Sequence, residues 1–131
     1  MKAILSSILI MSVVALSAFG QQSSVDEVIS AFRSGNASEL SKHFDETLEL
    51  TLPVKSNSYS KAQAQQMMKD FFENQCNGVK GFELIHKGTS PEGYYFVGNL
   101  EGNSGKFRTN VYMKTKGNKE VIKKIRFEPV Q

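Results

Sequence analysis

The sequence predicts an α+β fold in which three N-terminal helices pack on one face of a curved, mostly antiparallel sheet. Apolar residues recur at helical spacing through most of the first half, and apolar–polar alternation between turn residues takes over in the last third. Cap chemistry adds a third observation. Ser24 with Glu27, Asn36 with Glu39, and Ser60 with Gln63 each set a capping oxygen three residues before a Glu or Gln. Helices are therefore expected to begin near positions 25, 37 and 61.

Ahead of these elements, Lys2 precedes an apolar run from Ala3 to Leu16, and Ala18-Phe19-Gly20 supplies small residues at the spacing of a cleavage site. Residues 1–20 read as a secretory signal peptide cut after Gly20, too short and too weakly flanked to serve as a membrane anchor. Residues 21–131 then form a single domain, exported to the periplasm or beyond the cell. No transmembrane span is expected after cleavage.

Val25, Val28, Ile29 and Phe32 make one stripe of a first helix, which Gly35 is placed to end in a left-handed conformation. Ala37, Leu40 and Phe44 repeat the spacing on a short second helix, and Ala64, Met67, Met68, Phe71 and Phe72 do so on a third. Between them, Leu48, Leu50 and Leu52 alternate with Thr47, Glu49 and Thr51, a half-buried strand that Pro53 ends. Four further strands are expected at Phe82 to Lys87, Tyr94 to Leu100, Lys106 to Lys114 and Glu120 to Phe127. The turns between them carry Ser90-Pro91-Glu92-Gly93, Gly102-Asn103-Ser104-Gly105 and Gly117-Asn118. Links this short favour an antiparallel meander.

This order of elements resembles the nuclear transport factor 2-like, or cystatin-like, cone, whose sheet wraps around its helices. The phrases Ser34-Gly35-Asn36-Ala37-Ser38-Glu39-Leu40, Tyr59-Ser60-Lys61-Ala62-Gln63-Ala64, Lys69-Asp70-Phe71-Phe72 and Ile125-Arg126-Phe127 resemble more narrowly a family of short exported bacterial proteins, found mainly in Bacteroidetes and labelled domain of unknown function 4783. The resemblance implies a fold and no reaction.

Composition excludes several functions. Sixteen Lys and Arg against 13 Asp and Glu give a formal charge of only +3, and the surplus shrinks further with the loss of Lys2. That is not the dense positive field of a nucleic-acid binder. Cys76 is the only cysteine, so no internal disulfide is possible, and an inert thiol is expected. Two distant histidines without neighbouring Cys or paired carboxylates make no metal site, and no cofactor is indicated.

Three candidate groups remain. His43 and Asp45 stand where a helical pattern gives way to a strand, and they read as a hinge rather than a catalytic pair. The wider resemblance implies a cone pocket in which Asp45 could be a base, yet the first helix lacks Tyr and the meander strands lack Asp, so the acidic donors of isomerase relatives are missing. His86 shares its strand parity with Phe82 and Leu84 and is expected to face the interior, as a core histidine or a pocket base. An isomerase, dehydratase or hydrolase would use Asp45 or His86 in a pocket lined by Phe32, Met67, Phe71 and Tyr94.

Lys106, Arg108, Tyr112 and Lys114 share one strand face, and Lys124 with Arg126 shares another. Pairing of those strands would give a basic outer stripe around Tyr112, suited to an acidic partner, an anionic glycan or lipid headgroup, or a homodimer contact. The expectation is an exported, non-catalytic binding module for a small ligand or an envelope protein. A catalytic cone and a structural subunit of an envelope assembly are the alternatives.

Overall fold

A computed structural model of the protein describes residues 24–131. The signal segment 1–20 and its cut after Gly20 lie outside the described residues. The first apolar stripe becomes α1 (Ser24–Ser34), with Val25, Val28, Ile29 and Phe32 buried. Gly35, at φ +64°, turns the chain out of it. The Gly35 amide donates to the Phe32 carbonyl at 3.1 Å and the Asn36 amide to that of Ala31 at 2.9 Å. These are the paired bonds of a Schellman ending. Asn36 then opens α2 (Ala37–Ser41), its Oδ1 accepting the Glu39 amide at 3.0 Å. One residue thus closes one helix and caps the next.

β1 (Phe44–Leu52) begins at Phe44 rather than Thr47. Its register shifts between Phe44 and Glu49, so residues there do not alternate and the sequence hides the strand's first turn. Leu48, Leu50 and Leu52 are buried, as their spacing requires. β2 (Lys55–Ser60) was not expected from the sequence. Its residues, Lys-Ser-Asn-Ser-Tyr-Ser, have no apolar alternation because only Tyr59 turns partly inward. Pairing with β1 from Leu52↔Lys55 to Thr47↔Ser60 makes it a polar sheet edge.

Ser60 caps α3 (Lys61–Asp70) in a complete capping box with Gln63. The helix widens into a π-helical turn, Phe71–Gln75, where the Cys76 amide reaches back to the Phe71 carbonyl at 2.9 Å. β3 (Val79–Ser90), β4 (Gly93–Gly102), β5 (Gly105–Lys116) and β6 (Lys119–Val130) then form the predicted meander, each running beyond its apolar core into the turns. The sheet order is β2-β1-β6-β5-β4-β3. Only the β1–β6 pairing among them is parallel. The helices cover the inner face, and the core lies between the two layers.

Candidate functional site

Phenylalanines fill the inside of the cone. The Phe32 ring lies 5.4 Å from Phe82, 6.2 Å from both Phe96 and Phe127, and 6.4 Å from Phe72. Phe71 adds contacts of 4.5 Å to Phe127 and 5.0 Å to Phe107. Stacked, edge-to-face and tilted packing of this kind closes space that a ligand would need. Of the four residues expected to line a pocket, Phe32 and Phe71 are fully buried in this cluster, and Met67 packs half-buried against it. Tyr94 is 40% exposed and borders a separate open cleft of about 260 Å³ with Val25, Lys87, Gly88, Thr89 and Tyr95.

His43 and Asp45 face different partners. The His43 Nε2 lies 3.5 Å from the Glu27 carboxylate of α1, in a cleft of about 540 Å³ that Glu39 and Lys42 also line. Its carbonyl accepts the Ile122 amide at 2.7 Å, which ties the end of α2 to β6. Asp45 is on the other side of the strand. Its side chain is only 14% exposed, with the Lys116 Nζ 3.0 Å from Oδ1 and the Lys114 Nζ 3.7 Å from Oδ2. The hydrogen bond from Lys116, together with that from the Glu46 amide, holds its carboxyl below the usual range. Asp45 thus anchors the β1 bulge to the end of β5.

His86 corrects the sequence expectation. The β3–β4 register runs Leu84↔Gly98 and then His86↔Val97, so Ile85 is the extra residue of a bulge. One added residue turns every later side chain to the opposite face. His86 consequently lies exposed on the outer face, with its Nε2 3.1 Å from the Tyr95 hydroxyl. Neither imidazole reaches the phenylalanine core.

The outer face has its own order. Gly88, Tyr95, Tyr112, Lys124, Glu49 and Ser58 are successive register partners on β3, β4, β5, β6, β1 and β2. The neighbouring row is His86, Val97, Asn110, Arg126, Thr51 and Ser56. The expected pairing of β5 with β6 does bring Lys106, Arg108, Tyr112, Lys124 and Arg126 onto one surface. Acidic and amide groups interleave them. Lys106 lies 3.7 Å from Glu101, Arg126 lies 2.6 Å from Glu128, and the Arg108 Nε donates to the Asn99 Oδ1 at 3.2 Å. Lys124 faces Glu49 in register and stands 5.8 Å over the Tyr112 ring.

Sequence reasoning missed Glu27, Lys116, Gly88 and Tyr95. Lys116, Gly88 and Tyr95 meet their partners across strands, where only the register reveals them, and Glu27 meets His43 through the packing of α1 beside the end of α2. Cys76 is buried, and desolvation pushes its thiol up to about 11. That makes it a poor nucleophile at neutral pH. Among the described residues no three His, Cys, Asp or Glu side chains are grouped to hold a metal. No described helix is long and apolar enough to cross a membrane.

With this architecture in view, the class is the α+β cone of nuclear transport factor 2-like and cystatin-like proteins. A structure bearing the NTF2 designation matches at TM-score 0.62 and 11% identity, covering 79% of this chain and 91% of its own. A cystatin-like domain of unknown function from Nostoc punctiforme matches at 0.60 and 11%, covering 81% and 72%. The chain belongs to the family Domain of unknown function (DUF4783), whose model matches residues 25–128. A crystal structure of a family member from Bacteroides uniformis is 32% identical, with TM-score 0.77, covering 83% of this chain and 99% of that one. No curated protein matches the chain.

Proposed function

We propose that the protein is an exported, non-catalytic binding module that meets its ligand on the outer face of the sheet. The observation carrying this reading is the closed phenylalanine core around Phe32, which supports a surface site over an interior one. A general base in the cone needs an ionisable group beside an interior cavity. Asp45 is held by two lysines and His86 by Tyr95, both on the sheet's outer side. The outer rows instead combine a half-exposed tyrosine, matched charges and short polar side chains, a surface suited to orienting a polar ligand. Export is supported by the leader-like residues 1–20.

Amide and aromatic chemical shifts of the processed protein, recorded while adding oligosaccharides, fatty acids or acidic peptides in turn, test the reading. Shifts are expected to concentrate on outward residues of β4, β5 and β6. Shifts centred on Phe32, Met67 and Phe71 would overturn it.

A further inference from the structure

The most developed feature of the outer face is the seat of Tyr95. Gly88 is its direct partner on β3, and a methyl group on Gly88 would lie 2.8 to 3.0 Å from the Tyr95 Oη, Cζ and Cε1. The phenol therefore lies across the backbone of β3, over a position where no side chain lifts it. His86 holds its hydroxyl at 3.1 Å. The ring is thus fixed as a platform on the sheet surface rather than a free side chain standing in water.

The platform continues across the sheet. Tyr112 is the next residue of the row and is 39% exposed. Lys124 follows, and beyond it a trough of about 280 Å³ is lined by Glu49, Thr51, Ser56, Asn57 and Ser58. From Tyr95 to that trough is three strand spacings, about 14 Å. The order is aromatic, aromatic, cation, carboxylate, then hydroxyl and amide groups.

Resting on the outer-face reading above, we infer that this row is a glycan-binding strip that takes a neutral, extended polysaccharide. Sugar rings offer an apolar C–H face to an aromatic platform and hydroxyls to the amides and hydroxyls beside it. Charge selects among the possible occupants. Lys106 and Arg126 each pair with a carboxylate, Arg108 donates to an amide, and Lys124 faces Glu49 in register, so an uncharged ligand complements the surface better than a polyanion. A second copy of the chain would need an apolar, charge-depleted centre, and the two rows supply only Val97 and the two tyrosines.

Native gel electrophoresis of the processed protein through soluble β-glucan, xylan and mannan, with polyglutamate as a polyanion without sugar rings, is the test. Retardation by at least one neutral glycan is expected, little changed at about 0.5 M salt because salt screens charge–charge attraction and an uncharged ligand makes none. Tyr95→Ala and Tyr112→Ala should each weaken it about tenfold, the loss of a stacked ring. Gly88→Ala retains Tyr95 but displaces it and should weaken binding similarly, whereas Tyr95→Phe should stay within about twofold. Thermal melts identify any variant that has lost its fold, and Tyr95→Phe with Tyr112→Ala keeps the comparison valid if Gly88→Ala does not fold.

Two failures are distinguishable. Retardation by none of the three glycans, or salt-sensitive binding of polyglutamate alone, overturns the glycan inference and leaves the outer face as the site if chemical shifts still map there. Glycan retardation unaffected by Tyr95→Ala and Tyr112→Ala takes the ligand off this row and overturns the strip, and the outer-face reading fails with it if chemical shifts then centre on Phe32, Met67 and Phe71.

Discussion

Asp45 is where a single residue's chemistry decides what a sequence neighbour cannot. Its carboxylate accepts from the Lys116 ammonium and lies near that of Lys114, while His43 pairs with Glu27 instead. Because its folded pKa lies below the ordinary aspartate value of 3.8, its contribution to stability is fully present above that value and is lost as pH falls through the folded pKa. The lysine side of the pair behaves oppositely. Lys116 is raised above 10.5, first by its hydrogen bond to Asp45, so its share is present below that value and is lost as pH climbs through the folded pKa. Asp45→Asn should therefore lower stability by about 1 kcal/mol near neutrality, as expected for a partly exposed ion pair. Melting temperatures measured from pH 2 to pH 7 should show the two proteins converging below pH 3.8. A gap of constant size down to pH 2 would mean that the carboxylate's charge is not what anchors the bulge. Asp45 itself stood out in the sequence, but its pairing with Lys116 did not, since Lys116 lies far along the chain and reaches it only across the folded sheet.

At the scale of elements, the helices and the meander were legible because cap chemistry and apolar spacing are local. Asn36 and Ser60 make the cap bonds their neighbours imply, and the meander turns fall where Gly, Asn and Pro stand. β2 was not legible, because a polar edge strand has no buried face to write a pattern into the sequence. His86 was misread for a related reason. Strand parity carries a residue to the correct face only while the ladder is unbroken, and Ile85 breaks it. Glycines show the same dependence on pairing. Gly98 faces the interior on β4, where a methyl group would lie 2.3 Å from the Phe82 Cζ and 2.7 Å from the Glu83 carbonyl oxygen. The backbone oxygen cannot swing aside, so Gly98→Ala should cost about 1–3 kcal/mol through overpacking. Urea denaturation reads this as a lower midpoint with an unchanged slope. An alanine variant as stable as the wild type would show that Phe82 and β3 can shift freely, against the tight β3–β4 packing described above.

Considered as a whole molecule, the cone shares its architecture with proteins from quite different sources, yet its interior is occupied by its own side chains. Phe32 is the keystone, since its ring meets those of Phe72, Phe82, Phe96 and Phe127 and so ties α1 to the π-helical turn and to β3, β4 and β6. Phe32→Ala should cost about 3–5 kcal/mol, from lost apolar burial and from the void left behind. Against a total of about 5–15 kcal/mol for a domain, that is a large share, and a protein from the lower part of the range would then be partly unfolded at room temperature. The void has a second consequence. An apolar cavity that water does not fill can accept a small apolar guest, so saturating benzene should raise the melting temperature of Phe32→Ala by mass action and leave the wild type unchanged. If benzene stabilised the wild type as well, the native interior would already hold space for a ligand. The case for the outer face would then lose its main support, and Met67, Phe71 and Tyr94 would become the first residues to substitute. A guest taken up by the variant alone means that the native cone is closed by Phe32 itself, which leaves the outer rows of the sheet as the surface where a ligand is to be sought.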